Sequence, residues 1–525
     1  MKSRLVTLFA ATAVLSSVGS VPIAGSASAS STDTTIPLLR EGLPESEPTL
    51  DLTKNIDASE IDQLSLDTLM KFGPEGQVEP NLASSVSQPN PVTYVYNLRH
   101  GIQFWDGNEL TAADVAYSLN YDRRPGSLVA FSFTSVKSIA ATGTYTVVVT
   151  LTHPDASWQY TPAEIGSEIF EMKFAEAHKG TFGNPGVLLM GTGPWEVDSL
   201  DPTSGAELSA NPHWWGGDVP VQHISFTFFS SETSEALAFR AGEIDVDPSV
   251  ISPRSFASTS GTKLLTTPSC GIGFFIMNTK TPGWDDVHVR RAVAYALNRS
   301  DIIAASGGYA SPIYTLTPPA LLDTIASPSQ INSLLKSIPI YPYNLAKAKA
   351  EMAESAYPHG FKSTLLEYSS NTSVDVYEAV AAELQKIGID AQLKVLPVQT
   401  WQGIESGPLS QRSTAFATGG CFDPDPSAYD DDLGSWNAKP GEWNVADYTP
   451  PAVDKLITEG ISTTDPAKRF PIYSQLFQRL QTDLPYVGLC VYDVEIALSP
   501  KFTYSNFHYW PFNSGPYALN IKPAP

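Results

Sequence analysis

Two hydrophobic periods alternate along the chain, one of two residues and one of three to four, so strands and helices are both predicted throughout. At 223–229 (HISFTFF) the apolar positions Ile224, Phe226 and Phe228 fall on one face of a strand. The runs at 93–98 (TYVYNL) and 145–151 (YTVVVTL) carry the β-branched and aromatic residues that suit a pleated surface. Helices are marked by their ends. Thr111 precedes AADVAYSL and Asp114 follows three residues on, the spacing of a capping box. Asn344 opens LAKAKAEMAESA in the same manner. At 376–387 the apolar residues Val380, Leu384 and Ile387 keep helical spacing, and Gly388 stands where a left-handed cap belongs. The chain then enters an alternating strand, IDAQLKVLPV, and the segment 232–246 (ETSEALAFRAGEIDV) repeats that helix-to-strand pattern. Such alternation predicts an α/β protein with open mixed sheets.

The first thirty residues follow neither period. Lys2 and Arg4 are followed by a short apolar run at 5–15 and then by small residues ending in Ala27-Ser28-Ala29. This is the layout of a secretory signal peptide, with cleavage expected after Ala29. The apolar run is shorter than the ~20 residues a membrane span requires. Cysteine is absent near the cleavage site, so no lipid anchor is expected, and the mature chain is placed in the periplasm or at the cell surface.

Composition narrows the picture. The 525 residues hold 55 acidic and 32 basic side chains, a net charge of −23, which opposes binding to a phosphate backbone and excludes nucleic acid as a partner. With 42% apolar residues and 17% charged ones the chain is globular, and its length implies two or three domains. Cys270, Cys421 and Cys490 lie far apart, with no C-x-x-C pair to hold a metal. An exported protein permits one disulfide. Cys270 and Cys421, each read as standing beside a glycine-containing turn next to an apolar strand, are expected to form it.

Five segments in a fixed order carry a resemblance to a known family. They are LSLDTLMKFGPEGQVEPNLASS at 64–85 after the Thr49-Leu-Asp51 start, LRHGIQFWDGNELTAADVAYSL at 98–119, MGTGPW at 190–195 with NPHWW at 211–215, DVHVRRAVAYALNRSDII at 286–303, and the pair 343–361 and 383–401. Together they resemble the extracellular solute-binding proteins of family 5, the peptide, nickel and oligosaccharide class of ABC importers. The resemblance implies a class II periplasmic-binding-protein-like α/β fold, with two lobes of mixed sheets flanked by helices, an extra small domain and a cleft at the hinge. It implies a signal at 1–29, lobe I at 30–75, 195–270 and 495–525, the small domain at 76–194, and lobe II at 271–494. Hinge crossings are then expected near Cys270 and residue 494, with the lobes closing over a ligand. The partners implied are an ABC permease and its ATPases, and the protein is expected to be a monomer without a cofactor.

Most motif residues read as structural. Trp105-Asp106-Gly107 is a turn, and Gly191 and Gly193 are read as turn glycines. Arg290 and Arg291 are expected in ion pairs, and Asp430-Asp431-Asp432 in a solvated turn. Ligand contacts are sought in the irregular segments of lobe II. Trp401, Trp436 and Trp443 stand among Gly, Pro, Asn and Asp residues, and 417–433 (ATGGCFDPDPSAYDDDL) resembles the family's Asp-Pro segment at the cleft. In the dipeptide-binding branch an Asp three residues before that Asp-Pro holds the ligand's amine. Phe422 occupies that position if Asp425-Pro426 is the pair, and Gly420 if Asp423-Pro424 is, so no acidic anchor is expected and free dipeptide is disfavoured. The candidate ligand-binding residues are Trp401, Gly420, Cys421, Phe422, Asp425, Trp436, Asn437 and Trp443.

An oligopeptide paired with edge strands at 271–278 (GIGFFIMN) and 413–420 is preferred over an oligosaccharide stacked on the tryptophans, its hydroxyls bound by Asp425 and Asn437. A surface receptor or sensor would share the fold. The eight histidines, at 100, 153, 178, 213, 223, 288, 359 and 508, show no ligand spacing, so no metal site is expected. Ser333-Leu-Leu-Lys336 has the spacing of penicillin-recognising enzymes but lacks their companion motifs, so no enzyme is expected.

Overall fold

Ile224, Phe226 and Phe228 are buried along the strand His223–Phe228, with polar neighbours turned outwards. That strand pairs in parallel with Leu39–Leu43, so a near-terminal segment enters the middle of the main sheet. The computed structural model describes residues 35–525, apart from 45, 57–58, 251–252, 369–370, 406 and 412–413. The expected signal at 1–29 lies outside the described residues. Among them no helix is long and apolar enough to cross a membrane.

The largest sheet has nine strands. Its order is Trp195–Asp201, Gly205–Ala210, His223–Phe228, Leu39–Leu43, Val246–Asp247, Tyr486–Leu498, Lys263–Met277 and Thr414–Gly419, with Ala310–Pro312 also paired to Tyr486–Leu498. Two long antiparallel strands, Lys263–Met277 and Tyr486–Leu498, run from one half of the molecule to the other. At one end Ile496 and Leu498 join the core formed by Leu39, Ile224 and Phe226. At the other end Ile272, Phe274 and Ile276 join one core and Phe275 and Met277 another, on the opposite sheet face. Burial on both faces explains why GIGFFIM is a continuous apolar run and not an alternating one. The register shifts between Pro268 and Ile272, between the part of the strand pair that packs on the first core and the part that packs on the other two.

The small domain has its own four-stranded antiparallel sheet, in the order Ala83–Asn90, Thr93–Leu98, Thr146–Leu151 and Val136–Gly143. The helix Ala112–Asp122 covers it, its buried Val115 and Leu119 meeting Tyr96, Val147 and Val149 in one core. The capping box at its start is formed, with the Thr111 amide donating to Asp114 Oδ2 at 3.0 Å. In lobe II, Phe361–Tyr368, the helix Asn371–Gln385 and Ile389–Leu396 make a βαβ unit with parallel strands, and Gly388 takes a positive φ of 89°.

Three structural readings are corrected. Gly191 and Gly193 serve close approach: a Cβ at either would lie 2.3 or 2.4 Å from the Ser65 carbonyl oxygen. Arg290 is buried and forms no ion pair among the described residues; it donates to the carbonyls of Asp483 (2.8 Å) and Trp284 (2.7 Å). Asp430 is buried and accepts from Tyr473 Oη at 2.8 Å, so the triple-aspartate run is an anchored turn and not a solvated one.

Candidate functional site at the lobe junction

Where the edge strand Thr414–Gly419 leaves the sheet, the chain is pinned at once. Cys421 is disulfide-bonded to Cys270, with their Cα atoms 5.8 Å apart, and Tyr429 Oη donates to the Cys270 carbonyl at 2.7 Å. Cys270 lies inside the long strand Lys263–Met277, not beside a turn as its glycine neighbours suggested. The bond therefore ties the lobe II segment 421–433 to the crossing strand.

Two aspartates follow with different fates. Asp425 is wholly buried and grips Arg469 through both carboxylate oxygens, one contact measuring 2.6 Å, while Arg469 Nε donates to the Gly460 carbonyl at 2.8 Å. A buried carboxylate needs such a partner, because desolvation would otherwise neutralise it. Asp423 has no such guanidinium partner among the described residues. Its Oδ1 accepts the Asp425 amide at 2.7 Å, and its carboxyl faces Glu164 of the small domain. Burial pushes Asp423 well above the usual carboxylate range, and the neighbouring Glu164 and Asp425 push in the same direction. Glu164 is also raised by burial, with Asp155 adding to it. Two adjoining carboxyl groups withdrawn from water resist simultaneous ionisation.

Further contacts join small domain and lobe II around this pair. The Ala156 amide donates to the Ile461 carbonyl at 2.9 Å, and the rings of Phe131 and Phe422 lie 5.1 Å apart. A cavity of about 290 Å³ lies beside them, bounded by Gln88, Tyr94 and Tyr160 on one side and Thr324, Asp425 and Arg469 on the other.

Residues 77–437 match the family described as bacterial extracellular solute-binding proteins, family 5, middle region. The chain belongs to this family. It is a binding protein and not an enzyme. A putative ABC transporter peptide-binding protein of Brucella ovis is 26% identical over 444 residues, covering 81% of each chain. The periplasmic binding protein DppA of Helicobacter pylori, solved with the peptide STSA, superposes with a TM-score of 0.77 at 22% identity, covering 94% of this chain and 99% of that one. The oligopeptide-binding protein AppA of Bacillus subtilis, solved with a nonapeptide, gives a TM-score of 0.74 at 20% identity, covering 94% and 100%. These likenesses fix the two-lobed class II binding-protein architecture.

Within this family 5 protein the sequence-derived candidates separate. Gly420, Cys421, Phe422 and Asp425 do gather at the junction. Gly420 is exposed, and a methyl group there would meet nothing within 4 Å. Phe422 packs on Phe131, and Cys421 is consumed by the disulfide. Asp425 is committed to Arg469, which removes it as a free acceptor for hydroxyls. The Asn437 amide is spent on Asp431, donating to its carbonyl and Oδ1 at 3.1 Å each. Trp436 and Trp443 are 45% and 62% exposed, and Trp401 is half-buried on the helix Val398–Glu405. The segment 271–278 offers no free edge, because Ile272–Met277 is flanked by Thr414–Gly419 on one side and Tyr486–Leu498 on the other. Thr414–Gly419 ends the sheet among the described residues, and Ser413 lies outside them. Sequence reasoning missed Asp423 and Glu164. Counting back from an Asp-Pro pair passed over Asp423, although it stands two residues after the cysteine that the disulfide fixes. The Ser333 hydroxyl of the S-x-x-K tetrad only bonds the Ser329 carbonyl, at 2.8 Å on an exposed helix.

Proposed function

We propose that this protein captures an oligopeptide between its lobes and delivers it to an ABC permease and its ATPases, after export by a cleaved signal peptide and as a monomer. The observation that carries the reading is the Glu164–Asp423 pair. Two adjoining carboxyl groups that resist ionising together form a site in which a ligand ammonium can neutralise both, with charge-assisted hydrogen bonds to each. Arg469 does not compete, being bound to Asp425. The acidic anchor that the Asp-Pro spacing failed to supply is thereby provided by Asp423, with its partner coming from the small domain. The edge strand Thr414–Gly419 supports the same reading, since it leads straight to this pair and can accept a peptide backbone.

Calorimetry with tetra- and pentapeptides, each with a free and an acetylated amino terminus, tests this. Free-amine peptides are expected to bind, and Asp423→Asn to weaken them at least ~10-fold, about 1.4 kcal/mol. Acetylated peptides should bind weakly to both proteins. The exposed indoles of Trp436 and Trp443 favour the competing oligosaccharide reading. Binding of cello- or xylo-oligomers without any peptide binding would replace the peptide assignment.

A further inference from the structure

We infer that lobe II carries a surface site for a divalent transition metal, formed by His288, Glu351 and Glu354 and sharing no residue with the lobe junction. His288 lies 63 residues before Glu351 and 66 before Glu354, yet the packing of two helices brings the three side chains together. His288 lies in the first turn of Val287–Ala296, and Glu351 and Glu354 are one turn apart on Leu345–Glu354. His288 Nδ1 is 2.8 Å from Glu351 Oε2 and 3.7 Å from Glu354 Oε2, and the three ligand atoms lie within 4.8 Å of one another.

Hydrogen bonding explains half of this arrangement. A ring nitrogen carries one hydrogen and satisfies one carboxylate, yet two converge on the same Nδ1. A metal ion accounts for both. Donors about 2.0–2.2 Å from one zinc ion sit a little over ~3 Å from each other, and the two measured separations bracket that spacing. One imidazole and two carboxylates, with a position left for water, suit zinc, cobalt or nickel and not the all-oxygen shells of calcium or magnesium.

The surroundings hold the donors in place. Asp286 caps the first helix, accepting the amides of His288 and Ala356 at 2.8 Å each, and so fixes the His288 backbone against the end of the second helix. Arg291, one turn beyond His288, donates to the Thr482 carbonyl. Among the described residues the ion pairs of Glu351 and Glu354 are with His288 alone. A net charge of −23 concentrates cations around the whole molecule.

Titration of the purified full-length mature chain with zinc chloride tests the site, with cobalt chloride as a spectroscopic probe. One saturable zinc site per chain is expected, with cobalt giving visible absorption bands and calcium failing to displace it. His288→Ala should weaken zinc at least 10-fold. Glu354→Gln, an exposed and nearly isosteric change that leaves the fold intact, should weaken it by a similar factor. Absence of saturable zinc binding to the unaltered chain, or binding unchanged in both variants, overturns the assignment. Peptide binding should be unaltered in either variant, so the two proposals stand or fall separately.

Discussion

At the scale of single residues, the ion pair between Asp425 and Arg469 shows what burial demands. Neither side chain is more than 3% exposed, and each is worth little to the fold unless the other is present. Arg469→Met leaves a buried carboxylate without a partner and should cost ~3–5 kcal/mol in urea denaturation. The double variant Asp425→Asn with Arg469→Met should cost clearly less than the sum of the singles, because it removes the orphaned charge. Additive losses would show that the two residues act independently. The same pairing explains why Asp425 was misread. In the sequence it is one of five aspartates within ten residues, and nothing near it announces an arginine 44 positions away.

At the scale of elements, local chemistry sets where helices begin, and close packing sets what stands beside them. At Thr111 the Asp114 carboxylate accepts the Thr111 amide, and at Asn344 the side-chain oxygen accepts the Lys347 amide, interactions complete within one turn. Gly191 and Gly193 answer to a different constraint, the carbonyl of Ser65 at the end of the helix Ser59–Ser65. Gly193→Ala should therefore destabilise the protein by ~1–3 kcal/mol, since the obstructing atom belongs to the backbone and cannot rotate away. Gly420→Ala, facing open space, should stay within ~0.5 kcal/mol. Comparing the thermal midpoints of the two variants checks this; equal losses would refute the close-approach argument.

At the scale of the whole molecule, the excess of acid is partly internal. Burial raises Glu41 and Glu495 to about 8, Glu168 to about 7 and Asp432 to about 8, and holds Asp62 and Asp122 well above the usual carboxylate range. Each of these groups keeps its proton in the folded state at a pH where the unfolded chain has released it. The folded state thus binds more protons between the unfolded value near 4 and the folded values near 7–8, and stability falls as pH rises across that window. The thermal midpoint should be higher at pH 5.5 than at pH 8.5. A midpoint that is flat or rises over this range would contradict these assignments. The Glu164–Asp423 junction titrates in the same direction, so deprotonation should also loosen the contact between small domain and lobe II.

The strands at 93–98, 145–151 and 223–229, the helices after Thr111 and Asn344, the turn at Trp105-Asp106-Gly107 and the family were legible in the sequence, because each rests on spacings of a few residues or on motifs kept in order. The solute-binding class followed from those motifs. The partner of Asp425, the approach of Asp423 to Glu164, and the His288–Glu351–Glu354 cluster depended on residues 44, 259 and 63 positions apart. No local pattern encodes such meetings. They arise where distant segments of the chain pack together, and only the tertiary structure brings those charged groups against each other.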